Sequence, residues 1–292
     1  MLNECIEALN IKHDGIYVDV TYGGGGHARE IIKHLGPKGK LIAFDQDEDA
    51  LKNIVPDDRL IFINQNFEFM NNHLRYLNLL PVDGILADLG VSSHQFDTAT
   101  RGFSFRFDAA LDMRMDASQS LTAKRIISTY TEEALTRIFR IYGEIDNAYN
   151  LSRTIVSNRS EDSINTVFQL KALINPCVPK WKENQYLAQV FQALRIEVNR
   201  ELHVLQKFLT QTASALAPQG RLVVMSYHSL EDRLVKNFIQ KGNFSGDTEK
   251  DFFGNKVAVM KPINKKPIEA STEEQQVNSR SRSAKLRIGE KI

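Results

Sequence analysis

The chain of 292 residues is 42% hydrophobic and 25% charged, with a formal net charge of +1. It is long enough and apolar enough to bury a sizeable core, which excludes a disordered chain. No stretch approaches the roughly 18 apolar residues that a membrane span needs, and residues 1–10 do not read as a signal peptide. We therefore expect a globular, cytoplasmic protein without a membrane partner.

The two cysteines, Cys5 and Cys177, lie far apart and outside any Cys/His cluster. This spacing indicates neither a disulfide framework nor a metal site. We expect both thiols to behave as small apolar side chains.

The charge is distributed unevenly along the chain. Residues 1–100 hold 8 basic and 15 acidic residues, whereas residues 255–292 hold 9 basic and 4 acidic residues. A basic tail can contact a polyanion such as RNA, although solvated tails are often basic too.

The first ninety residues alternate between short apolar runs and helix-forming segments. Strands are predicted at 16–20, 40–47, 60–64 and 82–90, and helices at 27–36, 49–54 and 67–76. Strict alternation of this kind is typical of a parallel sheet with helices on both faces. The sequence therefore predicts an α/β, Rossmann-like fold.

This alternation stops after Gly90 and resumes late in the chain. Residues 92–120 are predicted to form a long loop, and loops of that length are usually functional. Helices are predicted at 131–144, 162–174 and 185–216, followed by a strand at 220–229, a helix at 230–242 and an antiparallel pair at 256–261 and 284–290. We expect one domain made of 1–102 and 201–292, with a mostly helical insertion at 103–200 and a basic C-terminal tail.

The segment VDVTYGGGGHAREII, residues 18–32, changes from strand to helix at four glycines. Glycine lets a ligand approach the backbone closely, and the start of a helix presents unpaired N–H groups. Asp45 closes the next predicted strand, at a suitable reach for the two hydroxyls of a ribose. Because ligands of such sheets bind at the carboxyl ends of the strands, the pattern favours a nucleoside.

The glycine spacing lacks the third glycine of the dinucleotide fingerprint, which argues against an NAD oxidoreductase. Asp19 precedes the turn, and a carboxylate there favours a cationic sulfonium over a pyrophosphate. We therefore predict S-adenosylmethionine as the ligand, with a plain tight turn as the alternative. His27 is equally well explained as a ligand contact or as a polar residue at a helix start.

Asp88 ends the strand expected beside the first one, in ILADLGVSS. It is the candidate to accept a hydrogen bond from a target amine, with Ser92 beside it, and the alternative is a cap at a strand end. His228, in SYHSLED, either takes the departing proton or holds its loop. Asp88, Ser92 and His228 form the predicted catalytic set.

Nine segments occur in order along the chain: DVTYGGGGHAREI, DQD, DGILADLGVSS, RGFSF, LDMRMD, YGE, FQALRIEVNREL, LAPQGRLVVMSYHSLEDRLVK and SRSRSAKLR. Together they resemble the MraW family of bacterial ribosomal small subunit methyltransferases over essentially the whole chain. The resemblance implies a class I methyltransferase sheet with an inserted substrate domain. It also implies transfer of a methyl group from S-adenosylmethionine to N4 of a cytidine in the decoding region of 16S rRNA.

The resemblance further implies which residues contact the cofactor and what the partner is. It places cofactor contacts at Gly25, Gly26, His27, Asp45, Phe67, Asp88 and Gln95, and the position of Asp19 before the turn adds that residue to the expected set. The expected partner is 16S rRNA within the assembled small subunit, and the protein is expected to act as a monomer or a homodimer.

Basic and aromatic residues are the candidates for RNA contact. Arg195 and Asn199 share a predicted helix face, Arg106 and Arg114 lie on the long loop, and Arg280, Arg282 and Arg287 lie in the tail. A solvated face is the alternative for each, and a structural ion pair for Arg195. Phe103, Phe105 or Tyr227 is expected to stack on the target base.

Two other functions remain open from the sequence. One is a methyltransferase acting on a small molecule or a protein amine, and the other is a non-catalytic rRNA-binding module. The insertion and the basic tail favour RNA over a small substrate, and the acids at 19, 45 and 88 favour catalysis.

Overall fold

A computed structural model of the chain describes residues 1–91, 101–159, 164–248 and 258–292. These residues form two compact units, one made of Met1–Gly90 with Leu202–Ile292 and the other of Val91–Glu201. The predicted insertion, 103–200, falls inside the second unit, which begins earlier, at Val91.

The first unit is built on an eight-stranded sheet. Its strands are β1 (Ile16–Asp19), β2 (Lys40–Phe44), β3 (Leu60–Ile63), β4 (Val82–Asp88), β5 (Leu216–Ser226), β6 (Met260–Pro262), β7 (Ile268–Glu269) and β8 (Lys285–Lys291). The order across the sheet is β3-β2-β1-β4-β5-β8-β6, and β7 pairs with β8. Strands β1 to β5 run parallel, whereas β8 runs antiparallel to β5 and β6. The predicted α/β, Rossmann-like class is confirmed, as is the late antiparallel pair.

The described helices are α1 (Leu2–Leu9), α2 (Gly26–His34), α3 (Met70–Tyr76), α4 (Ala123–Thr129), α5 (Glu132–Ile141), α6 (Ala148–Asn158), α7 (Val167–Ile174), α8 (Glu183–Asn199), α9 (Glu201–Ala215), α10 (Ser229–Lys241) and α11 (Thr272–Val277). Short 3-10 turns occur at Glu48–Asn53, Phe67–Phe69, Asn175–Cys177, Lys180–Lys182 and Ser279–Ser283. Within the described ranges, no helix combines the length and the apolar character needed to cross a membrane.

The sheet of the first unit is buried on both faces. Successive strand residues point to opposite faces, and Tyr17 and Val18 of β1 are both buried, in two different apolar clusters. This explains why the inner strands read as continuous apolar runs rather than as alternating ones. Packing on both faces therefore holds the ends of the strands in place.

The second unit packs α4 to α8 around its own apolar cluster, which includes Phe103, Leu151 and Leu194. The prediction of a single long helix at 185–216 is wrong, because the helix is interrupted at Arg200. That residue adopts φ 51° and ψ 34°, a left-handed conformation that ends α8. Apolar spacing resumes directly afterwards in α9, so periodicity alone gives no sign of the break.

Candidate active site

Three acids lie at the carboxyl edge of the sheet, at the ends of neighbouring strands. Asp19 ends β1, Asp88 ends β4, and Asp45 directly follows β2. β1 lies between β2 and β4, where the order of the strands reverses. Ligands of doubly wound sheets bind at this position.

Asp19 is fully buried and only half satisfied. Its Oδ1 accepts hydrogen bonds from Thr21 N at 3.0 Å and from the Thr21 hydroxyl at 3.4 Å, whereas its buried Oδ2 has no hydrogen-bond partner among the described residues. Burial raises the pKa of Asp19 from 3.8 to about 7, with a smaller contribution from Asp88 and Asp45. A buried, incompletely paired carboxyl group of this kind fits a cationic ligand, which would favour its ionised form.

The glycine turn is tied to the second acid. Asp45 accepts from Gly23 N at 2.7 Å through Oδ2 and from Asp47 N at 2.9 Å through Oδ1. Gly25 caps α2 with φ 72°, and a Cβ there would lie 2.8 Å from the Tyr22 hydroxyl oxygen. Only glycine adopts this conformation without strain.

Open space lies over the same turn. In the ranges that the structure describes, a Cβ added at Gly24 or at Gly26 would meet nothing within 4 Å. The start of α2 therefore has room for a ligand to approach the backbone closely. Together with the unpaired Oδ2 of Asp19, this shape and chemistry fit the predicted cofactor.

Asp88 is fixed by hydrogen bonds that the sequence did not indicate. The Tyr227 hydroxyl donates to Asp88 Oδ1 at 2.8 Å, and Asp88 N donates to Thr21 Oγ1 at 2.7 Å. Burial raises the pKa of Asp88 to about 6, and the Tyr227 hydrogen bond opposes that rise. Because its pKa is about 6, Asp88 is mainly ionised above pH 7, and its side chain, which is 27% exposed, is accessible to a substrate group.

His27 lies at the start of α2, with its Nδ1 3.8 Å from Asp88 Oδ2. Burial lowers the pKa of His27 to about 4, and its buried Nε2 finds no hydrogen-bond partner within the described part of the chain. The ring is therefore neutral near pH 7 and does not compensate the charge of Asp88; the N-terminal ammonium group instead opposes the rise that burial causes in the pKa of Asp88. The unpaired Nε2 keeps open the predicted contact with a ligand.

His228 caps α10 rather than facing outward. Its Nδ1 accepts from Glu231 N at 3.4 Å, its Nε2 lies 3.2 Å from Glu231 Oε1, and its side chain is 8% exposed. Glu231 also accepts from Tyr227 N at 2.9 Å. These contacts support the loop-holding alternative for His228 in place of proton removal.

The remaining predicted cofactor and catalytic residues are less informative. Phe67 begins the 3-10 turn after β3 and packs edge-on against Phe208, with ring centroids 5.3 Å apart. Ser92 and Gln95 lie outside the described residues.

Two of the predicted RNA contacts are buried and have structural partners. Arg287 is 7% exposed, and its guanidinium binds Asp232 through Nε at 2.6 Å and Nη2 at 3.0 Å. Asn199 is 5% exposed, accepts from Met115 N at 2.8 Å and donates to Met113 O at 2.8 Å. Both side chains therefore hold the fold in place of the predicted RNA contact.

Two further arginines are also engaged internally. Arg195 pairs with Glu201 through two hydrogen bonds of 2.9 and 3.0 Å, and its side chain is 13% exposed. Arg114 binds Asp112 twice and donates to the carbonyl oxygens of Ala117 and Gln119, which shapes its own loop. Neither guanidinium is presented as the predicted phosphate contact requires.

Arg106, Arg280 and Arg282 are exposed and stay candidates for RNA contact. The aromatic residues expected to stack on a base have other roles. Phe103 is 4% exposed in the core of the second unit, and Phe105 packs edge-on against Phe191.

The chain is similar over its full length to named ribosomal RNA methyltransferases. The chain is 54% identical to the ribosomal RNA small subunit methyltransferase H of Flavobacterium johnsoniae and 53% identical to that of Christiangramia forsetii, in each case over 100% of this chain and 96% of the relative. A crystal structure of an rRNA methylase from Streptococcus thermophilus aligns with 100% of this chain and 93% of its own, at 13% identity and a TM-score of 0.44.

The sequence profile of the MraW methylase family matches residues 1–292. This match confirms the resemblance, the methyltransferase class and the S-adenosylmethionine cofactor predicted from the motifs. The chain belongs to the MraW methylase family.

Proposed function

We propose that the protein methylates the N4 amine of a cytidine in the decoding region of 16S rRNA, within the assembled small ribosomal subunit of the bacterial cytoplasm. The names of its relatives support ribosomal RNA as the substrate. The observation that carries the proposal is Asp88, an ionised, partly exposed carboxylate fixed at the strand end beside Asp19.

The residues around the glycine turn are the ones that would hold the cofactor. Bound S-adenosylmethionine supplies an electrophilic methyl group on a positively charged sulfur. Asp19, buried behind the turn, would place a carboxylate charge near a positively charged ligand, and Asp45 holds the turn through the N–H groups of Gly23 and Asp47. The open space at Gly24 and Gly26 lets the ligand lie against the start of α2.

Asp88 acts on the target amine. The lone pair of the N4 amine is delocalised into the cytosine ring, so the free base is a poor nucleophile. A carboxylate that accepts a hydrogen bond from N4–H orients the amine and stabilises the positive charge that develops on nitrogen. The same carboxylate can then accept the proton that the methylated nitrogen releases. Because Tyr227 and Thr21 fix Asp88 beforehand, this stabilisation needs little reorganisation.

RNA contact falls to side chains at the surface. The target base must leave its stack to reach a methyl donor. Arg106, Arg280 and Arg282 are exposed and suited to phosphate oxygens. Within this proposal they position the RNA but do not select its sequence.

The proposal is tested by methyl transfer to defined substrates. Purified protein is incubated with methyl-labelled S-adenosylmethionine and either small subunits from cells lacking the modification or naked 16S rRNA, and the RNA is then digested to nucleosides. Label in N4-methylcytidine, with faster transfer to subunits than to naked rRNA, is the expected result. Label in another nucleoside or in protein, or no label, would overturn the proposal.

The role of Asp88 is tested by Asp88→Asn. Losing the charge should leave RNA binding intact and slow single-turnover methylation by at least about a hundredfold, the scale found when an electrostatic stabiliser is removed. The matched control is Asp83→Asn, on the same strand, whose carboxylate binds Lys12 and Ile16 N. Near-normal turnover by Asp88→Asn would restrict Asp88 to a role in the fold or in cofactor binding.

A further inference from the structure

Trp181 is the single tryptophan of the chain, and its side chain is 84% exposed. It lies in the 3-10 turn Lys180–Lys182 of the second unit, between two exposed lysines. Leaving so large an apolar ring in water forgoes the favourable free energy of burying it. A ring in this position is therefore a candidate contact for a partner.

The charge around Trp181 points to an anionic partner. Lys180 and Lys182 directly flank the ring in the sequence, and both are exposed. The nearest acid along the chain is Glu183, at the first residue of α8. An aromatic face flanked by ammonium groups fits single-stranded nucleic acid, in which bases stack on aromatic rings and phosphates bind cations.

The backbone beneath the ring is fixed. Lys182 N donates to Pro179 O at 2.9 Å, which closes the turn, and Val178 N donates to Asn175 O at 3.1 Å just before it. Asn147 Nδ2 donates to Cys177 O at 3.0 Å, which joins the segment to the residue before α6. A ring presented from an ordered turn loses less conformational entropy on binding than one on a mobile chain.

We propose that Trp181 stacks on an unpaired base of the RNA substrate while Lys180 and Lys182 bind the neighbouring phosphates. This inference rests on the proposed RNA substrate, but it concerns binding by the second unit and not the chemical step.

The first test uses the tryptophan itself as the probe. Because the chain holds one tryptophan, emission excited at its red edge reports on Trp181 alone. Titration with a single-stranded RNA of the decoding-region sequence should quench this emission saturably, and the matching duplex should quench it much less. Equal quenching by both, or none by either, would overturn the proposal.

The second test measures RNA affinity by filter binding, with matched exposed residues as controls. Trp181→Ala should weaken binding of the single strand at least about fivefold, the lower end of the effect of losing one base stack, and Trp181→Phe should restore most of it. Tyr76→Ala removes a ring that is 83% exposed in the first unit and should have no effect. Equal losses in Trp181→Ala and Tyr76→Ala would refute a specific contact.

The lysines are tested through the salt dependence of binding. Lys180→Ala and Lys182→Ala should each flatten the dependence of affinity on salt concentration. The control is Lys33→Ala, which removes a surface lysine paired with Glu30 and should leave that dependence unchanged. Weaker binding of Trp181→Ala to assembled subunits with unchanged binding to naked RNA would assign the ring to a protein partner and overturn the proposal. Absence of methyl transfer with quenching intact would instead overturn the proposed function alone.

Discussion

Replacing Asp19 with asparagine should remove a loss of stability that the cofactor-free wild type suffers as the pH rises. The folded protein holds the pKa of Asp19 at about 7 against an ordinary value of 3.8, chiefly because the group is buried. The folded state therefore binds more protons than the unfolded state between these values, so the wild type loses stability as the pH increases through them. At about 1.4 kcal/mol per pKa unit, that loss is about 2 to 3 kcal/mol between pH 5 and pH 8.

Asparagine has no charge to lose, so the variant should escape this part of the pH dependence. Its amide leaves a buried donor where Oδ2 lies, at a roughly constant cost of about 1–3 kcal/mol. The difference in unfolding free energy between variant and wild type should therefore move in favour of the variant by about 2 to 3 kcal/mol from pH 5 to pH 8.

Urea unfolding followed by circular dichroism at several pH values measures this difference. Asp57→Asn is the control, because hydrogen bonds from Arg59 lower the pKa of Asp57 to about 2. The stability from that carboxylate is complete above its ordinary pKa of 3.8 and is lost only as the pH falls towards 2, so its difference should stay flat from pH 5 to pH 8. A flat difference for Asp19→Asn as well would refute the assignment of Asp19 as a buried acid that resists ionisation.

Three further substitutions separate a role in cofactor binding from a role in the fold. Asp45→Ala should weaken S-adenosylmethionine binding by about 1.5–3 kcal/mol, as expected for a charged hydrogen bond, and unchanged calorimetric affinity would remove Asp45 from the site. Arg287→Ala removes the two-pronged partner of the buried Asp232 and leaves Lys285 Nζ 3.9 Å away. It should lower stability by about 3 kcal/mol, the lower end of the cost of breaking a buried ion pair, whereas Arg282→Ala should leave stability unchanged. Equal melting temperatures for Arg287→Ala and the wild type would contradict the structural role of that pair.

The strand-end acids could be predicted because the signals that place them are local. Apolar runs and glycine punctuation mark where β1, β2 and β4 stop, and parallel strands bring their carboxyl ends to one edge. Asp19, Asp45 and Asp88 follow from that rule alone. The hydrogen bond from Tyr227 to Asp88 does not, since 139 residues separate its two partners.

The structural role of several polar residues could not be predicted for the same reason. Arg287 and Asp232 are 55 residues apart, and Asn199 and Met113 are 86 apart. In a sequence, a buried arginine in a basic tail looks the same as an exposed one, because only the tertiary fold supplies its carboxylate. The sequence places Arg195 and Asn199 on one helix face, but it does not show that they contact Glu201 and Met113.

The pairing of β4 with β5 joins segments that lie far apart in the sequence. β4 ends at Asp88, and the whole second unit, Val91–Glu201, precedes β5. During synthesis, β3, β2, β1 and β4 emerge first, and the edge of β4 carries the apolar residues Ile85, Leu86 and Ala87 with unpaired backbone groups. Such an edge is a template for aggregation until a neighbouring strand covers it. Local folding of the intervening helices shortens the flexible loop that must close before β5 pairs with β4. We therefore expect destabilisation of the second unit to increase misfolding of newly synthesised chains.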